Sequence, residues 1–169
     1  DEVRQGVCQK TLAMIALINA PDLIVVGCAT EDLPTIEQLA KERGAQRITV
    51  LDTAGAFHTS FMQSAASNLE QFLLKYSFTN PEYPIVANLT GKLSTSGTNL
   101  RNHLVKGMVS PVLWAKSLGT IKGVDVKFFD IKLFVESGPG TYLTRLNVLN
   151  GIPEEQTVNI SHFRLKAQS

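Results

Sequence analysis

The chain has 169 residues, 44% of them hydrophobic, and 16 lysines and arginines against 15 aspartates and glutamates leave a net charge of +1. That balance excludes a polybasic nucleic-acid binder and an acidic disordered tail, and the length suits one domain or two small ones with a buried core. No apolar run approaches the roughly 18 residues of a membrane span, so no membrane partner is expected. Cys8 and Cys28 form no CxxC, and His58, His103 and His162 lie too far apart for a helical metal pair. No metal and no cofactor are therefore expected, and a reduced interior is the expected setting.

In chain order, residues 2–10 read as a helix without a preceding cap. Residues 12–18 and 23–28 read as buried strands around the turn signal Asn19-Ala20-Pro21. Glu31 and Asp32 open a helix over 31–43, where the dipole favours negative charge, and Gly44 ends it. Residues 48–51 read as a third strand. Ser60 and Gln63 have the spacing of a capping box, and Phe61, Ala65, Leu69, Phe72 and Leu73 follow at helical spacing as a core face. Residues 85–89 read as a strand and 91–99 as a polar loop. A helix spans 100–108, with Arg101, His103 and Lys106 on wetter positions, and a short one spans 114–121. A strand within 126–135 runs into Glu136-Ser137-Gly138-Pro139-Gly140, a tight turn ahead of a helix from Thr141. The tail from Gly151 is weakly patterned. Alternating strands and helices put the fold in the α/β or α+β class.

The stretch GAFHTSFM places His58 between a loop and a helix start. A helix N-terminus disfavours positive charge and so favours a neutral imidazole, the form a general base needs. The alternative is a half-buried histidine satisfied by one backbone bond. GPG at 138–140 lacks the spacing of a phosphate loop, so a structural turn is the better reading.

AGAFHTSFM, YPIVANL, VSPVLW and ESGPG, in that order and spacing, resemble the acyltransferase family of malonyl-CoA:acyl-carrier-protein transacylases over residues 4–146. Plant and plastid-type members look nearest. Localisation stays open among plastid, mitochondrion and cytoplasm, with a slight lean to the plastid type.

The resemblance implies an α/β fold: an incomplete α/β-hydrolase-like core (1–11 and 52–150), a shortened ferredoxin-like subdomain (12–51) and a C-terminal tail (151–169). It implies malonyl-CoA and acyl carrier protein as partners, and a monomer in the complete enzyme. A serine would take the malonyl group as an ester and pass it to the carrier's phosphopantetheine thiol, with coenzyme A as a substrate's carrier rather than a cofactor.

The base falls on His58, oriented by the main-chain carbonyl of Gly107, where close relatives carry glutamine. Arg4 would pair bidentately with the malonyl carboxylate, with Cys8 beside it in place of the usual methionine. Phe57 would exclude a substituent on the malonyl α-carbon, and Asn19 is a further substrate contact. The family's Gly-His-Ser-x-Gly elbow does not occur in these residues, so the nucleophile is expected ahead of Asp1 and the chain alone is expected to be inactive.

The family's β-α-β-β-α-β subdomain also lacks a helix and a strand here, so a missing piece is expected at Ile18–Asn19. Two other readings are an acyltransferase domain of a polyketide or multienzyme fatty-acid synthase, and a non-catalytic module. The module would dock acidic carrier proteins on Arg101, Lys106, Lys116, Lys122 and Lys127.

Overall fold

The structure, a computed structural model, describes residues 7, 8, 10–123 and 131–162. The chain divides into two compact units, residues 1–117 and 118–169. Arg4 and Lys127 lie outside the described residues.

In the first unit, helical Val7, Cys8 and Lys10 lead into β1 (Met14–Ala20), which pairs antiparallel with β2 (Leu23–Gly27). The turn between them is Pro21-Asp22; proline presets the backbone for a tight reversal. Ile18 sits opposite Ile24 and Ala20 opposite Leu23, so the two strands close directly on each other. The missing piece expected at Ile18–Asn19 is not needed to form this hairpin.

On its other edge β1 bonds to Val112: Ile18 N donates to Val112 O and Val112 N to Ala16 O, both at 2.9 Å. Helix α1 (Leu33–Glu42) follows a turn of 3-10 helix (Thr30–Asp32), and Gly44 at φ 83 closes its C-terminus. Val7, Ala13 and Ile36 form a buried cluster against Val26, Cys28, Leu39 and Ala40. Burial, with Asp32 and Glu31 nearby, raises the Cys28 thiol above its ordinary pKa.

The strand expected at 48–51 does not form. Residues 47–53 have no regular structure, and Val50 and Leu51 are exposed. An apolar run becomes a strand only where an edge offers hydrogen bonds, and no described edge pairs with this one. Residues 60–62 make a turn of 3-10 helix before α2 (Gln63–Leu73).

The capping box is not made: Ser60 Oγ reaches Met14 Sδ at 3.3 Å instead. Ala66 and Leu73 are the buried residues of α2, while Phe61 and Phe72 stay exposed, with Phe72 resting against Tyr76 at 5.1 Å between ring centres. Of the expected face, Leu73 is buried and Ala65 and Leu69 are half-buried, while its two aromatic rings stay exposed.

β3 (Ile85–Ala87) and β4 (Lys92–Ser94) form a second antiparallel hairpin, so part of the expected polar loop is strand. α3 (Gly97–Gly107) starts three residues earlier than the apolar pattern predicted, because Ser96 caps it by accepting from Asn99 N at 3.3 Å. Gly97 is required there: a side chain would run into the carbonyl oxygens of Phe78 and Thr79. His103 is half-buried rather than wet, and its Nδ1 is enclosed without a partner among the described residues. α4 (Trp114–Gly123) carries the chain from the first unit into the second.

In the second unit, β5 (Phe134–Glu136) pairs parallel with β6 (Thr157–Asn159), and α5 (Tyr142–Leu149) lies between them in sequence. The tail expected to be weakly patterned thus supplies a buried strand.

Candidate active site

His58 occupies a left-handed backbone conformation, φ 64, alone among the described non-glycine residues. That geometry costs an L-residue about 1–2 kcal/mol. Two hydrogen bonds offset it. His58 N donates to Met108 O at 3.1 Å, and Nδ1 lies 2.7 Å from Gly107 O. Each contributes about 1 kcal/mol net, so together they roughly balance the backbone cost.

Both carbonyls belong to the C-terminal end of α3, whose last oxygens have no partner within the helix. Gly107 has open space where a side chain would stand, so the contact depends on its main chain and not on its being glycine.

The chemistry of that contact assigns the tautomer. A carbonyl can only accept, so Nδ1 must carry the proton to bond it, and in the neutral ring Nε2 is then the basic nitrogen. Among the described residues no hydrogen bond is made to Nε2. His58 is half-buried and lines a cleft of about 350 Å³ together with Cys8, Ala13, Met14, Ile15, Thr59, Val109 and Pro111. The walls are nearly all apolar. They are brought together because the β1 edge bonds to Val112, which draws the loop after α3 against Met14 and Ile15.

The sequence-predicted residues separate on this geometry. His58 and Gly107, 49 positions apart, are in contact. Phe57 is 42% exposed, and it is not among the cleft walls. Asn19 is 3% exposed within β1, and it is not among the cleft walls. Arg4 lies outside the described residues, while Cys8, four positions on, does line the cleft. Met14 and Ile15 carried no functional signal in the sequence, because apolar walls look like core until the chain folds, and Thr59, Val109 and Pro111 stood inside quoted motifs with no role assigned to them. Among the described residues no three His, Cys, Asp or Glu side chains gather as a metal site, and no helix is long and apolar enough to cross a membrane.

The glycine turn at 136–140 is filled by its own unit. Glu136 accepts from Leu143 N at 3.0 Å, Thr144 N at 2.9 Å and Thr144 Oγ1 at 2.7 Å. The Thr144 hydroxyl, with backbone bonds and Asn159 assisting, holds the Glu136 carboxyl below its ordinary pKa even though burial opposes this. Asn159, fully buried, donates to Gly138 O at 2.9 Å and Gly140 O at 2.5 Å and accepts from Ser161 N at 2.8 Å. With the carboxylate and the carbonyls of Gly138 and Gly140 engaged in these bonds, the turn is tied to its own unit.

No protein-family model matches the chain. Among curated proteins it is 28% identical over 138 residues to the malonyl CoA-acyl carrier protein transacylase of Bacillus subtilis, covering 82% of this chain and 42% of that one. It is 31% identical over 128 residues to the Escherichia coli protein of the same name, covering 76% and 40%. A 32% match over 132 residues, 78% of this chain and 11% of the other, is to the polyketide biosynthesis protein ThaF of Burkholderia thailandensis.

Among solved structures, the malonyl-CoA:ACP transacylase of Synechocystis superposes with TM-score 0.82 at 24% identity, over 94% of this chain and 51% of that one. A malonyl-transacylase solved in complex with its type II polyketide acyl-carrier protein superposes with TM-score 0.77, also at 24% identity, over 94% and 49%. The structural likeness establishes a mixed α/β fold, and the chain spans about two fifths of the length of the curated transacylases it matches.

Proposed function

The chain is a partial-length homologue of the malonyl CoA–acyl carrier protein transacylases, and on that premise we propose that it carries the base-bearing part of an enzyme moving a malonyl group from malonyl-CoA to acyl carrier protein. The observation that supports this reading is the 2.7 Å contact from His58 Nδ1 to Gly107 O, which leaves Nε2 as the basic nitrogen of a residue lining an apolar cleft.

The reaction runs in two balanced steps. A serine hydroxyl from outside these 169 residues attacks the thioester carbonyl of malonyl-CoA while His58 Nε2 takes its proton. The C–S bond breaks, the proton goes to the coenzyme A sulfur, and a malonyl-serine ester remains. The phosphopantetheine thiol of the carrier then attacks that ester, giving its proton to Nε2, and His58 returns it to the serine oxygen. Arg4 would hold the malonyl carboxylate by two parallel bonds, and Phe57 would crowd a substituent at the α-carbon.

In architectural terms, residues 1–11 and 52–150 would be the partial hydrolase-like core, and 12–51 an abridged ferredoxin-like subdomain reduced to β1, β2 and α1. A polyketide acyltransferase is the second reading, and the ThaF match favours it. Turnover of α-substituted malonyl-CoA would separate the two.

The test joins the chain to an N-terminal segment bearing the family's serine elbow and follows malonyl loading of a holo carrier protein by mass spectrometry. The joined protein should transfer, and residues 1–169 alone should not. His58→Ala should lower the joined rate by at least about 100-fold. An unchanged rate in that variant would remove His58 from the chemistry.

A further inference from the structure

We infer that Gly27 and Thr59 form a positioning pair for the His58 imidazole. The Thr59 methyl seats against the bare Cα of Gly27, and that packing holds residue 58 in the conformation from which Nδ1 reaches Gly107. The inference rests on reading His58 as the base and concerns how the ring is aimed, not whether it reacts.

The hydrogen bonds of His58 do no more than balance its left-handed backbone, so something else must hold the turn. The residue on its C-terminal side is the one that is anchored. Thr59 is 1% exposed, and its Oγ1 donates to Ala56 O at 2.5 Å, tying the two ends of the turn together across residues 57 and 58. Gly27 is the last residue of β2, and a Cβ placed on it would lie 2.8 Å from Thr59 Cγ2 and 3.0 Å from the Ala56 Cβ.

The first separation does not occur between real methyl groups and the second is rare, so glycine is what lets both anchors of the turn approach the strand. Gly27 has no left-handed backbone angle to explain it; the reason for glycine is space. Strand β2 is thereby a template for the turn, and it fixes where the His58 Cα stands relative to the end of α3.

Thr59→Ser removes the methyl and Gly27→Ala adds one in nearly the same place, so the two changes should compensate. The experiment uses the 15N-labelled 169-residue chain. Imidazole spectra near neutral pH report the tautomer of each histidine, and His58 is identified by its loss in His58→Asn. The native chain should show a pyrrole-type Nδ1 at His58.

Gly27→Ala and Thr59→Ser should each lose that signal toward the mixed tautomers of a free imidazole, and the double variant should regain it. If Gly27→Ala does not fold, Thr59→Ser against the double variant decides alone. Folded single variants with the native tautomer, or a double variant no nearer the native spectrum than the singles, would overturn the pairing. Retained transfer in His58→Ala would instead sink the base assignment, whatever these spectra show.

Discussion

Two turns lead into helices in this chain: residues 55–62 ahead of α2, and 136–141 ahead of α5. Each holds one polar side chain that the sequence makes conspicuous, and they end differently. Glu136 spends its carboxylate on the first turn of α5, and Asn159 gives its amide hydrogens to two carbonyls of the same loop while its oxygen accepts from Ser161 N. His58 spends one ring nitrogen on a carbonyl and stands in a cleft wall with the other basic. A polar group whose hydrogen-bonding capacity is used up by its own backbone serves structure. A group with capacity left over beside a cavity can do chemistry.

Three further experiments probe that contrast. The largest effect is expected at the closed turn. Asn159→Ala removes three hydrogen bonds made by a fully buried side chain, and should cost about 3 kcal/mol in denaturant unfolding. A loss below about 1 kcal/mol would mean that the turn is not locked by this amide.

Next is pH. The folded Glu136 carboxyl lies below its ordinary value, so its stabilisation is complete above that value and fades as pH falls through the folded one. Acid unfolding of the native chain should therefore steepen below about pH 4.5, the ordinary carboxyl value. Glu136→Gln should flatten that limb, and equal acid limbs would deny the carboxylate its role.

The smallest effect belongs to the open turn's partner. Gly107→Ala meets open space and keeps its carbonyl, so the His58 tautomer should not change. Stability should rise by up to about 1 kcal/mol through helix propensity. A changed tautomer would show that the glycine itself, and not its oxygen, aims the ring.

Local elements were legible where a residue's own chemistry decides them. Gly44 at the end of α1 and the helical spacing of α2 are decided within a few residues. Strands were less legible. The run at 48–51 has β-branched residues but no edge to pair with, whereas the polar stretch holding Lys92–Ser94 becomes β4 because the reversal through Gly91, φ 61, brings it beside β3. For the site, His58 and Gly107 could be named through a resemblance that spans the chain, but Gly27 could not. Its meaning is a distance to a methyl 32 positions away.

The residues by themselves determined the class of fold, the glycine that ends α1 and the histidine that stands out before α2. Those follow from hydrogen bonds and periodicities that close within a few positions along the chain. Tertiary structure alone decided which nitrogen of that histidine is basic, which apolar side chains become cleft walls, and why a strand must end in glycine. Each of these is set by atoms far apart in sequence, and packing distances of a few ångströms are not written in composition or spacing.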